Sequence, residues 1–243
     1  CPREFYLRYM MQLERDGADR EVLQVGQTWH KAFDFQHAGR DPYTAIALHA
    51  PSLLWVEKLR RLYAAYHWYW SRQKIVQLEA EKKFEVQTNM GVFRGAIDGT
   101  VQLEDGRIGL IERKTTSMDL AAESDYWGKL RMDTQVGIYA LALAQDRLPD
   151  FILYDVVRKP TISPKAITKK DAERLREEIS KSGQGKYFET FPAEIIEVAL
   201  SEGHETVRLY GARLTADIGE RPEFYFARRE VPRTTADYAA LRD

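Results

Sequence analysis

Apolar residues recur at three- and four-residue spacing through the first third of the chain, then alternate, then return to helical spacing. Phe5, Tyr6, Tyr9, Met10 and Leu13 predict an opening helix. Val22 to about Gln36 predicts a second, carrying Trp29, His30 and Phe33. Asp41-Pro42 is a helix-start signal, and Pro51 marks another, from which a long helix is predicted to about Gln73. Its stripe is Trp55, Leu59, Leu62, Tyr66 and Tyr69, with Lys58, Arg60, Arg61 and Arg72 on other faces. Lys83 to Thr88, Val92 to Leu103 and Arg107 to Thr115 then read as strands, broken at Gly91 and Gly106. Three strands at hairpin distances predict an antiparallel meander.

Helical spacing returns from Asp133 to Ala144 through Val136, Tyr139, Ala140 and Leu143. Phe151 to Val157 reads as a strand, Lys169 to Lys181 as a charged helix capped by Thr168, Glu205 to Ile218 as a helix, and Glu223 to Val231 as a late strand. This order predicts an α/β fold with a mixed central sheet flanked by helices, not a doubly wound parallel sheet. No repeat or Pro/Gly/Ser-rich linker divides the chain. A single domain over residues 1–243 is expected, with a helical part to 74, a core over 75–160 and helices and a strand over 161–243.

The 243 residues are 44% hydrophobic and 30% charged, an ordinary globular composition. Lys plus Arg total 36 against 37 Asp plus Glu, so the balance lacks the basic footprint of many nucleic-acid binders. The total does not show where the positive charges sit. A single cysteine excludes an internal disulfide framework, a Cys-rich zinc site and a four-thiolate cluster. No window approaches the ~20 apolar residues of a membrane span, and no signal peptide is visible. The chain opens Cys1-Pro2-Arg3 without a methionine, which suggests that the natural chain continues upstream. An intracellular, cytoplasmic location is expected. No Gly-rich turn leads into Gly-Lys-Ser/Thr, so no helicase motor is present. His37, His49, His67 and His204 lack metal-ligand spacing.

The most informative stretch is Gly95-Ala96-Ile97-Asp98, followed by Ile111-Glu112-Arg113-Lys114. Residues two apart on a strand share a face, so Glu112 and Lys114 point the same way, in line with Leu110. An acid and a base at the end of an apolar row are costly unless partnered. Asp98 lies on the preceding strand, where a hairpin places it opposite Glu112. Two carboxylates that close repel each other unless a cation lies between them or one is protonated. Oxygen ligands of this kind suit Mg²⁺ or Mn²⁺. Asp98 and Glu112 would then hold the ion beside a phosphodiester, with Lys114 orienting water or stabilising developing charge. The same spacing also describes an ordinary Glu–Lys pair across a strand surface.

Gln135 and Tyr139, four apart on a predicted helix, share a face and offer an amide and a phenol to a phosphate or an end nucleotide. They equally describe a core Tyr beside a surface Gln. His30 reads either as a metal ligand or phosphate contact, or as a core histidine partnered by Asp34. The run Tyr63, Tyr66, His67, Trp68, Tyr69 and Trp70 reads mainly as core, with Trp68 its most exposed member. Lys58, Arg60, Arg61, Arg158, Lys159, Lys169, Lys170, Arg228 and Arg229 are either phosphate contacts or a solvated face.

Taken in order, His30, Gly95-x-x-Asp98, Glu112-x-Lys114 and Gln135-x-x-x-Tyr139 resemble the PD-(D/E)XK nuclease superfamily, specifically its RecB-like exonuclease branch. The resemblance spans residues 1 to about 160, and Cys1-Pro2-Arg3-Glu4-Phe5-Tyr6 is similar to that branch's amino-terminal helix. It implies an αβββαβ core of helix, three strands, helix and strand. It implies Asp98, Glu112 and the backbone carbonyl of Arg113 around the metal, His30 completing the shell, and Lys114 as the catalytic lysine. Gln135 and Tyr139 would contact substrate. Glu81, just ahead of the first strand, sits where some relatives carry an additional acid. Ile97 rather than Pro precedes Asp98, as the RecB-like branch commonly allows. Of the cysteines with which several relatives build an iron–sulfur cluster, only Cys1 stands, so no cluster is expected.

The expected function is therefore a Mg²⁺- or Mn²⁺-dependent DNA nuclease, an exonuclease acting in repair, recombination or phage DNA processing. Its expected partners are single- or double-stranded DNA ends and a helicase or recombination protein, with no membrane. The alternative is a non-catalytic DNA-binding module with the nuclease fold inside a repair or recombination complex.

Overall fold

The computed structural model describes residues 10–11, 18–88, 91–131, 134–143 and 149–231. The predicted opening helix over Phe5, Tyr6, Tyr9 and Leu13 lies outside the described residues, as does Cys1. Helix α1 (Ala18–His37) is followed by α2 (Pro42–His49) and α3 (Leu53–Trp70). Asp41 starts α2 because its carboxylate accepts the free N–H groups of Tyr43 and Thr44. Ser52 does the same for α3 through Trp55 N–H. Of the predicted α3 stripe, Leu59, Leu62 and Tyr66 are buried, joined by Tyr63. Lys58, assigned from spacing to an outer face, is buried instead. Its ammonium lies 4.6 Å from the Trp55 ring centroid, so the long stem packs inward while the head finds a π-face. Trp68 is 64% exposed, as its place in the run predicts.

Strands β1 (Val76–Thr88), β2 (Gly91–Gln102) and β3 (Ile108–Thr116) form the antiparallel meander. Helices α4 (Asp125–Arg131) and α5 (Thr134–Leu143) then carry the chain to β4 (Ile152–Arg158). β4 pairs parallel to β3, from Leu110 opposite Ile152 to Thr116 opposite Arg158. A parallel pair needs such a crossover, and the two helices supply it. β7 (Phe226–Glu230) closes the sheet antiparallel to β4, giving the order β1-β2-β3-β4-β7. The result is a mixed sheet flanked by helices, as expected.

One apolar layer joins Leu110, Ile152, Tyr154 and Val156 to Trp127 and Leu130 of α4 and Val136 and Tyr139 of α5. The other joins Val157 and Phe226 to α1 and α3. Helix α6 (Lys169–Ser182), the hairpin β5 (Gln184–Tyr187) and β6 (Glu189–Pro192), and α7 (Ala193–Glu202) share a further cluster with Leu209. Leu209 lies on α8 (Val207–Glu220), which packs on α3. A Cβ on Gly211 would meet Glu57 Oε1 at 2.0 Å, so the Glu57 side chain would have to move to admit one at that crossing. A short helix α9 (Pro222–Tyr225) occupies the start of the strand predicted from Glu223, so β7 begins only at Phe226. Pro222 favours a first helical turn there. Among the described residues, no helix is long and apolar enough to cross a membrane.

Candidate active site

The site forms where β2 and β3 part. Their pairing runs from Gln102 opposite Ile108 to Gly99 opposite Ile111, which sets Asp98 across from Glu112. Asp98 Oδ2 accepts the Arg113 N–H at 2.7 Å, replacing a ladder bond as the strands separate. Its other oxygen faces α1, where His30 Nδ1 stands 3.1 Å from Oδ1. The His30 partner is thus Asp98, whereas Asp34, the local candidate, pairs with Lys31 at 3.2 Å. Only packing of α1 on the sheet brings Asp98 within reach.

Glu112 and Lys114 share the Leu110 side of β3, and their side chains meet at 2.7 Å. Lys114 Nζ also donates to Gln135 Oε1 at 3.1 Å, and Gln135 Nε2 bonds the Tyr139 hydroxyl. Helix α5 therefore holds the ammonium in place. Gly95 has a packing reason: a Cβ would lie 2.9 Å from the Phe84 ring, which stacks edge-on against Tyr139. The bare backbone lets Phe84 and Tyr139 close over one end of the site.

Glu112 is 3% exposed, and its Oε2 has no hydrogen-bond partner. Burial, and then the charge of Asp98, push its carboxyl up to about 7 despite Lys114. Burial works against ionised Asp98 too, but His30 and the Arg113 N–H outweigh it and hold the carboxyl below its ordinary value. Burial likewise opposes a charged His30, and Asp98 overcomes this to raise its pKa. The pair thus sits as an ionised Asp98 beside a Glu112 that gives up its proton reluctantly, the state expected where a cation belongs between two acids.

Glu81 is not ahead of the first strand. β1 starts at Val76, so Glu81 lies within it, between Ala80 and Lys82, which pair with Gly99 and Ile97. Its φ of 46° marks local strain. It lines, with His30, Asp98, Arg113, Thr115 and Lys159, a cleft of about 490 Å³. Of the basic candidates, Arg61 pairs with Glu57 and Glu189, Arg158 with Asp119, and Arg228 with Asp155. Lys159 lines the cleft, and burial lowers its pKa.

Among the described residues, no three His, Cys, Asp or Glu side chains are gathered as a metal cage. The donor set nevertheless fits Mg²⁺, which keeps several waters and commonly takes only one or two carboxylates. The unpartnered Glu112 Oε2 beside Asp98 is the observation that carries the fit. The side chain of Arg113 was not legible as a site residue. The family resemblance implied only its backbone carbonyl.

A family model for the PD-(D/E)XK nuclease superfamily matches residues 1–199. No curated protein matches the chain by sequence. Among solved structures, one described as "Crystal structure of SSO0001" is similar at 15% identity. The match covers 65% of this chain and 72% of that one with a TM-score of 0.28, too loose a likeness to carry an argument.

Proposed function

The chain belongs to the PD-(D/E)XK nuclease superfamily, and from that premise we propose that it is a deoxyribonuclease of the RecB-like branch that trims DNA from an end. Members of the superfamily are generally metal-dependent nucleases, usually with Mg²⁺, and DNA is the substrate the fold implies. The observation that carries the reading is the buried Glu112, with one oxygen unpartnered and Asp98 opposite.

In this reading Asp98, Glu112 and the Arg113 carbonyl hold the ion, Mg²⁺ or Mn²⁺, and His30 beside Asp98 completes the set. Bound there, the ion neutralises charge on the scissile phosphate and lowers the pKa of an attacking water. Glu112 would be held ionised by a bound cation, whose charge would offset the burial and the Asp98 charge that raise its pKa. Lys114, held by Glu112 and Gln135, keeps its ammonium aimed at the cleaved phosphate and offsets charge that grows on it. Gln135 and Tyr139 present an amide and a phenol where a terminal nucleotide would lie, which favours action at an end.

The one-domain reading over residues 1–243 belongs to this proposal. So do an intracellular, cytoplasmic location, a role in repair, recombination or phage DNA processing, and a helicase or recombination partner. The test is a time course on 5′- and 3′-labelled single- and double-stranded oligonucleotides with Mg²⁺. Laddering from one end, lost with chelator, is the expected result. Retention of DNA without cleavage in either Mg²⁺ or Mn²⁺ would overturn it in favour of a non-catalytic DNA-binding module.

A further inference from the structure

Of the basic side chains that the sequence leaves between phosphate contacts and a solvated face, Lys159 is the one that lines the cleft holding Asp98 and His30. It stands one residue past β4, where its N–H donates to the Thr116 carbonyl at 2.7 Å. Register fixes the way it points. Arg113 and Thr115 of β3 pair with Asp155 and Val157 of β4, and Val157 packs against α1 and α3. Lys159, two residues on, continues that row. Helix α1 passes close over it, since a Cβ on Gly26 would lie 3.3 Å from Thr115 Oγ1. Lys159 thus sits at the carboxyl end of the parallel pair β3–β4, the end at which open α/β sheets bind ligands.

Lys159 is only 8% exposed. Lysines are rarely that buried without a partner. Lys58, buried to the same degree, has one in the Trp55 ring. Among the described residues, the Lys159 ammonium has no ion pair, hydrogen bond or ring contact. Its nitrogen still reaches solvent, unlike the sealed Arg113 Nε and Trp70 Nε1. The stem is packed and the head opens to the cleft. Such a lysine differs from one on a solvated face, because folding has already met much of the entropy cost of ordering it. Burial is the sole influence on its pKa, which it lowers. An acid within reach would raise that pKa, so Lys159 stands clear of Asp98 and Glu112. It therefore faces a part of the substrate other than the group at the acids.

We propose that Lys159 binds a backbone phosphate of the DNA strand other than the scissile one, and so fixes how the strand lies across the cleft. The identity of the polyanion rests on the nuclease reading. The pre-ordered cation in the wall rests on geometry alone.

The test is binding of a short labelled single-stranded oligonucleotide to the full chain in EDTA, followed by anisotropy over a range of salt. Lys159→Gln should weaken binding about tenfold, the worth of one charge-assisted hydrogen bond. It should also flatten the slope of log affinity against log salt by about 0.7, one phosphate contact on a single strand. Lys159→Arg should keep the slope. Lys181→Gln, which removes a charge paired with Glu177 on α6, should keep it too. With Mg²⁺, the loss in Lys159→Gln should fall on KM and not on kcat. Neutral methylphosphonate placed at single positions should weaken wild-type binding at one position away from the cut, and add nothing in Lys159→Gln. An unchanged slope in Lys159→Gln would overturn the proposal, and so would an equal change in Lys181→Gln. A loss confined to kcat, no sensitive methylphosphonate position in the wild type, or no DNA binding by the wild type would each do the same. The chelator separates the two readings. A slope difference without cleavage leaves Lys159 standing and removes the nuclease, and cleavage from an end without a slope difference does the reverse.

Discussion

Glu112 and Glu205 are buried alike, 3% and 5% exposed, and each faces a cation, yet they sit in opposite states. Glu205 Oε1 accepts from the Tyr187 hydroxyl at 2.6 Å and Arg213 Nε at 2.5 Å. Its Oε2 accepts from Arg213 Nη2 at 2.8 Å and Lys165 N–H at 3.0 Å. Burial alone would raise its pKa, but these donors outweigh burial and hold it below the ordinary value. Glu112 has one cation on one oxygen and nothing on the other, with a second acid opposite. Burial and Asp98 therefore raise its pKa. A carboxylate that ties elements together is saturated with donors. Glu112 instead leaves one oxygen without a donor.

The largest contrast is in cleavage. Asp98→Ala, Glu112→Ala and Lys114→Ala should each slow DNA hydrolysis by ~10³-fold or more, measured on end-labelled oligonucleotides. Glu205→Gln should leave the rate per folded molecule unchanged. Full activity of Lys114→Ala would break the comparison at its functional end.

Next in size is stability at the saturated site. Glu205→Ala strands the Arg213 guanidinium and should cost ~3–5 kcal/mol in urea denaturation. A cost near zero would show that the network merely fills space.

Glu112→Gln should do the reverse, stabilising the chain by ~1–3 kcal/mol at pH 8 in EDTA. The sign follows from a folded pKa above the unfolded one. The Glu112 contribution is present below the ordinary glutamate value and is lost as pH rises through about 7, leaving a buried charge that opposes folding. At pH 4 the gain should vanish. A destabilised Glu112→Gln at pH 8 would mean that the Lys114 pair outweighs the strain.

The smallest change is the pH dependence of Glu205, whose folded pKa is depressed. Its stabilisation is present above the ordinary glutamate value and is lost as pH falls through the lower folded one. The gap between wild type and Glu205→Gln at pH 7 should narrow as pH falls below the ordinary glutamate value and close below the depressed folded one. A gap that stays constant with pH would remove charge from the account of this site.

Much of the site was legible along the chain because its spacings are local. Two-residue alternation puts Glu112 and Lys114 on the Leu110 face, and i,i+4 spacing puts Gln135 beside Tyr139. The short connection at Gly106 sets the register that brings Asp98 opposite Glu112. Other elements were hidden for physical reasons. The start of β1 is polar, through Gln77, Glu79 and Glu81, with a register shift between Gln77 and Glu79 that breaks alternation. The β5–β6 hairpin is only four residues a side, too short for a periodic signal. Helix α7 starts directly after Pro192, which supplies no side-chain cap.

By itself, the order of apolar and polar positions determined the meander and the crossover helix and put Glu112 and Lys114 on one strand face, because these follow from the pitch of helix and strand. The tertiary structure alone decided what those groups feel. Packing of α1 gave His30 to Asp98 and not to Asp34, and placed the Arg113 guanidinium beneath the sheet among aromatic rings. Two buried glutamates became opposites because hydrogen bonds and desolvation depend on neighbours that are distant in sequence, and no local pattern records those.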